Sequence, residues 1–193
     1  MSLIHHLESH LGPIDAGWID DASRRDGLQI VSFSGGPISG VTAFCTLGMS
    51  TGTLRYPPTG RPIRQELLLM CRTDQVDGRL PALLDQVATE CLDSGRALSL
   101  GQLIGPRGPI VQGASVEAFY VATPVYLPDS FGIYERPEGG KVVFGWLVPV
   151  TRTEAELVRE SGGGELERLL ESHDPDLLDL RRPSMPGTGH TLH

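Results

Sequence analysis

The sequence of 193 residues contains no run of eighteen apolar residues, so it offers no segment long enough to span a bilayer as a helix. Its start, Met1-Ser2-Leu3-Ile4-His5-His6, lacks the basic n-region and the unbroken apolar stretch of a signal peptide. Cysteine is scarce. Cys45, Cys71 and Cys91 are odd in number and far apart, which suits a reducing, cytoplasmic compartment rather than a disulfide framework. Each falls on an apolar position of an expected strand or helix, where a free thiol behaves as a small hydrophobe. An excess of positive charge is missing too. The formal charge is −8, opposite in sign to what a nucleic-acid binder needs.

What charge there is lies unevenly. From Thr153 to Asp179 stand Glu154, Glu156, Glu160, Glu165, Glu167, Glu171, Asp174, Asp176 and Asp179, opposed only by Arg159 and Arg168. The rest of the chain is almost neutral. Such a face attracts a basic protein by steering and complementarity. It also serves simply as a solvated helical surface. The six glutamates of this segment are the candidate partner-binding residues.

Periodicity supplies the elements. Leu3, Ile4, Leu7 and Leu11 repeat at helical spacing until Gly12-Pro13, and Trp18 follows in an irregular segment expected to pack over the core edge. Leu28 to Phe33 and Val41 to Leu47 read as strands, the second with Val41, Ala43, Cys45 and Leu47 on one face and Phe44 on the other. The prolines between Gly48 and Pro62 exclude a helix there. Arg64 to Arg72 is a strand apolar on both faces, as expected of a central strand covered on both sides. Leu80 to Leu92 carries a clear amphipathic stripe ended by Gly95. Val116 to Ala122 and Lys141 to Val148 are further strands, and the Pro137-Glu138-Gly139-Gly140 turn pairs Phe131 to Glu135 with the latter. A capping box at Thr153-Glu154-Ala155-Glu156 opens a short helix. After Gly162-Gly163-Gly164 comes a second helix using Leu166, Leu169 and Leu170.

Three strings resemble catalytic or ligand motifs. Gly48-Met49-Ser50-Thr51-Gly52 fits the G-x-S-x-G of serine hydrolases, but Pro57 and Pro58 follow where the nucleophile elbow needs a helix. Downstream histidines are limited to His173, His190 and His193. His6 and His10 have a zinc-compatible spacing, yet no third ligand accompanies them, so they are expected as surface histidines. The loop from Gly101 to Gly113 holds Pro106 and Pro109, which lack the N–H groups that a phosphate cradle requires. Tyr120, Tyr126, Phe131 and Tyr134 are assigned to core and edge packing. No catalytic, metal or cofactor site is expected.

A set of strings, in order, resembles the suppressor-of-fused domain family. They are Leu3-Ile4-His5-His6-Leu7-Glu8 with Gly12 and Trp18, Thr46-Leu47-Gly48-Met49-Ser50, Arg64-Gln65-Glu66-Leu67-Leu68-Leu69 and Leu103-Ile104-Gly105-Pro106. They continue with Val143-Phe144-Gly145-Trp146-Leu147-Val148-Pro149, Thr153-Glu154-Ala155-Glu156-Leu157 and Asp174-Pro175-Asp176-Leu177-Leu178-Asp179-Leu180. The resemblance to short bacterial members covers nearly the whole chain. It implies an α+β fold: a single domain over residues 1–182, with a mixed, mainly antiparallel sheet packed by a central helix and short N- and C-terminal helices. A disordered tail over 183–193 is expected beyond it.

The family acts by binding proteins, without known catalysis. Its short bacterial members are associated with polymorphic toxin systems as inferred immunity proteins, often opposite nucleases. The animal member clamps a peptide between two lobes, of which this chain resembles the first. The functional expectation is therefore a cytoplasmic, non-catalytic protein-binding domain of the immunity type, neutralising a nuclease-like, basic toxin. No direct nucleic-acid or membrane partner is expected. A regulatory scaffold is the alternative, and a hydrolase built on Ser50 a distant third.

Overall fold

Two eleven-residue strands, each apolar on both faces, organise the molecule, which is described by a computed structural model over residues 2–18 and 27–187. The strands are β1 (Ala16–Trp18), β2 (Gln29–Phe33), β3 (Val41–Leu47), β4 (Leu54–Arg55), β5 (Pro62–Arg72), β6 (Leu103–Ile104), β7 (Val116–Ala122), β8 (Ile133–Glu135) and β9 (Lys141–Thr151). The helices are α1 (Leu3–Leu11), α2 (Arg79–Ser94), α3 (Arg152–Ser161) and α4 (Gly163–His173). One sheet runs β1-β2-β3-β5-β9-β7-β6, with β4 added beside β5 and β8 beside β9. Every pairing is antiparallel except β5 with β9. This is the α+β architecture with a mixed, mainly antiparallel sheet that the sequence leads one to expect.

Alternation along β5 assigns its faces. Leu67, Leu69 and Cys71 pack with Leu80, Leu84, Val87, Ala88 and Cys91 of α2. Leu68 and Met70 face a second core with Leu7 and Leu11 of α1, Ala155 of α3, and Leu166 and Leu169 of α4. The sheet is thus buried between α2 on one side and the other three helices on the opposite side. Burial on both faces explains why the central strands are near-continuous apolar runs.

Several details depart from the sequence reading. Trp18 lies on the edge strand β1, is 41% exposed, and packs tilted against Phe44 with ring centroids 5.9 Å apart. The segment after Gly48 makes a single 3-10 turn, Met49–Thr51, and then β4, because Pro57 and Pro58 come too soon for a longer helix. Phe131 belongs to a 3-10 turn at Asp129–Phe131, and the hairpin strand starts only at Ile133. The capping box is Thr151 with Glu154, not Thr153 with Glu156. Strand β9 runs on to Thr151 and passes straight into α3, so the N-cap falls two residues earlier. Residues 183 to 187, expected within a tail, are described, and Met185 is buried. His190, His193 and the remainder of that tail from 188 lie outside the described residues.

Candidate protein-binding surfaces

The G-x-S-x-G string folds around a buried carboxylate. Glu66 on β5 is fully buried and accepts from Thr46 Oγ1 at 2.5 Å, from the Gly48 amide at 3.1 Å and from the Ser50 amide at 2.9 Å. The Ser50 hydroxyl also bonds Glu66, and Ser50 itself is buried. A serine so engaged, with a single 3-10 turn rather than an α-helix behind it, does not form a nucleophile elbow. Gly48 is required by packing. It sits at φ +106, and a Cβ there would lie 2.0 Å from the Gly27 carbonyl oxygen. Burial pushes the Glu66 carboxyl above its usual range, against the pull of the Thr46, Ser50 and Gly48 hydrogen bonds. The same burial, with the Glu66 charge, raises the Cys45 thiol.

The histidine pair is also structural, though His6 is buried rather than at the surface. Its ring lies among Phe131, Tyr134 and Phe144, and its Nε2 meets the Phe131 carbonyl at 3.0 Å. His10 Nε2 reaches Ser130 Oγ at 3.0 Å. One face of α1 therefore ties down the turn at residues 129–131. Burial holds the His6 imidazole below its ordinary value, and the neighbouring His10 adds to that.

The six glutamates proposed for partner binding separate in space. Glu154 is fully buried: it closes the capping box and receives both guanidinium nitrogens of Arg182 at 2.6 Å. It cannot face a partner, which corrects the expectation for this residue. A buried arginine attracts the carboxylate inward, and sequence spacing gives no sign of it. Glu165 is paired with Arg168 at 2.5 Å, an ion contact that lowers its carboxyl. Glu167 accepts from Tyr120 Oη at 2.7 Å. Glu156, Glu160 and Glu171 are exposed along α3 and α4.

A surface that the sequence did not suggest lies on the opposite side of the sheet. Helix α2 covers β2, β3 and part of β5, leaving the α2-side face of β8 and the start of β9 open. There Gln65, Val143 and Ile133 form one rung across three neighbouring strands. The walls of this groove of about 480 Å³ include Leu98, Leu100, Val125 and Leu127. Leu100, Val125 and Ile133 are 57%, 68% and 48% exposed, and among the described residues Asp129 is the one charged residue of the lining. Gln65 holds one wall as a strand residue would, donating to the Leu98 carbonyl at 3.1 Å and accepting from the Leu98 amide at 2.9 Å. The His6–His10 pair fixes the turn that carries Asp129. No cluster of metal-ligating side chains is present among the described residues, and no helix among them is long and apolar enough to cross a membrane.

The family model for Suppressor of fused protein (SUFU) matches residues 24–183. Immunity protein YqcF of Bacillus subtilis (strain 168) is 22% identical over 166 residues, spanning 86% of this chain and 85% of that protein. The crystal structure of a SUFU homologue from Neisseria gonorrhoeae FA 1090 is similar with a TM-score of 0.74 at 19% identity, covering 93% of this chain and 92% of that one. The Sufu–Fu complex structure gives 0.68 at 17% identity, with 94% and 90% covered. For Drosophila Suppressor of Fused the TM-score is 0.59 at 17% identity, over 81% of this chain and 42% of that one.

Proposed function

The chain belongs to the suppressor of fused family, and from that premise we propose that it is a non-catalytic, protein-binding member of the immunity type. It acts in the cytoplasm by neutralising a basic, nuclease-like toxin through direct contact. The likeness to an immunity protein over 86% of the chain carries this reading. The engagement of Ser50 with Glu66 supports binding over hydrolysis. The exposed acids of α3 and α4 draw in a cationic partner, and such steering acts over a distance and does not require those acids to form the tight contact.

The test is capture of the partner from the native cell, followed by expression of that partner alone and with this chain. Growth arrest by the partner alone, relieved on co-expression, is the expected result. A captured partner that leaves growth unaffected favours the second reading, a regulatory scaffold for another cytoplasmic protein. The likeness to a protein solved in the Sufu–Fu complex favours that alternative.

A further inference from the structure

We propose that the groove beside β8 takes an extended segment of the protein partner, which adds to the sheet as a further strand on the free edge of β8. This rests on the protein-binding reading and assigns its contact site. In an antiparallel pair, alternate residues exchange hydrogen bonds while those between them point their backbone groups outward. The Phe144 amide donates to the Gly132 carbonyl at 3.1 Å and the Arg136 amide to the Gly140 carbonyl at 3.0 Å, which sets the bonded positions of this hairpin at even-numbered residues of β8. The N–H and C=O groups of Ile133 and Glu135 therefore face away from β9. Among the described residues no turn or loop contact takes them up.

Side-chain geometry agrees with the backbone. Gln65, Val143 and Ile133 already form consecutive positions of one rung, and among the described residues no strand pairs with the outer edge of β8. A residue placed there by pairing with β8 directs its side chain onto the same face, the one on which the groove lined by Leu100 and Val125 opens. Alternate residues of the segment are thus apolar, which is how strand addition obtains specificity from pockets and affinity from the main chain. Asp129, the charged residue among the described lining, selects a Lys or Arg beside them. The occupant is an extended apolar segment flanked by a basic residue, in keeping with the acidic charge of the chain.

The probe is a displayed library of random linear peptides panned against the full chain, with selected peptides synthesised and titrated. Alternating apolar residues with a neighbouring Lys or Arg are expected. L100D and V125D, both at exposed positions, should weaken binding by at least about tenfold. D129N should weaken it less and flatten its salt dependence. Ile133→Pro removes an outward donor without touching the β9 ladder, and Ile133→Ala is its control for side-chain loss. Should the proline variant fail to fold, N-methylation of alternate peptide amides asks the same question of the ligand. Methylation should abolish binding at one set of positions and spare the interleaved set. Selected peptides indifferent to L100D, V125D and methylation, or no binders at all, overturn the groove assignment. So does pairing of two copies through β8, seen as a dimer by sedimentation and broken by Ile133→Pro. Relief of toxicity retained by L100D and V125D overturns the groove while leaving the protein-binding function standing. Absence of any relief by the unmodified chain overturns that function instead.

Discussion

Single buried charges set the behaviour of this protein at the residue scale. Glu154 joins the N-terminus of α3 to the segment after α4 through Arg182, and also accepts from the Met185 amide at 3.3 Å. Glu154→Ala would strand a buried guanidinium, and equilibrium urea unfolding should show a loss of about 3–5 kcal/mol. Replacing both partners by Leu and Met should cost less than that single change. Glu66 gives a pH-dependent test. Its folded-state value is raised by burial, so above the usual carboxylate range the folded chain holds more protons than the unfolded one. The stability it contributes is therefore greatest at low pH and falls as pH rises through the raised value. His6 acts with the opposite sign. Its lowered value leaves stability complete above the ordinary 6.5 and lost as pH falls below it. Urea midpoints measured against pH should lose the falling limb in Glu66→Gln while keeping the His6 limb; an unchanged profile would refute this role for Glu66. Of these charges, neither the depth of Glu66 nor the Arg182 contact of Glu154 was legible in sequence. Both belong to strings read as surface or motif, and burial depends on residues far along the chain.

Elements carry the next set of expectations. The α2 stripe was plain because a long 3.6-residue period needs only local information. Leu84→Ala on that stripe, at 0% exposure, should cost about 2–5 kcal/mol by opening a cavity against β5. The acidic helices are less simple than their sequence implies. Glu165 and Glu167 are held by Arg168 and Tyr120, while Glu156, Glu160 and Glu171 are exposed, and an exposed carboxylate contributes to the field that steers a cation. Reversing these three to Lys should slow association with a basic partner and flatten its salt dependence, read by stopped-flow mixing at two ionic strengths. The start of α4 adds a packing constraint. A Cβ on Gly163 would lie 2.3 Å from Tyr120 Oη. Gly163→Ala should therefore displace the hydroxyl from Glu167, lowering thermal stability without altering association rates.

The C-terminal segment closes the whole molecule. Leu177, Leu178 and Met185 enter one core while Leu180 enters the other, so this segment packs on both faces of the sheet. Ending the chain at Ser161 removes these anchors along with α4 and Arg182. Such a truncation should lose cooperative thermal unfolding and expose apolar surface to a hydrophobic dye. By itself the sequence determined the helices and the long strands, because apolar period is a local property of neighbouring residues. It also determined the family, through the order of its strings. Tertiary structure alone decided the parallel neighbourhood of β5 and β9, whose partners Leu68 and Trp146 are distant in the chain. It alone withdrew Glu154 from the acidic face. It alone assembled the groove, because Leu100, Val125 and Ile133 are isolated apolar residues in turns or a three-residue strand. Only the folding of distant segments around an uncovered patch of sheet brings them together.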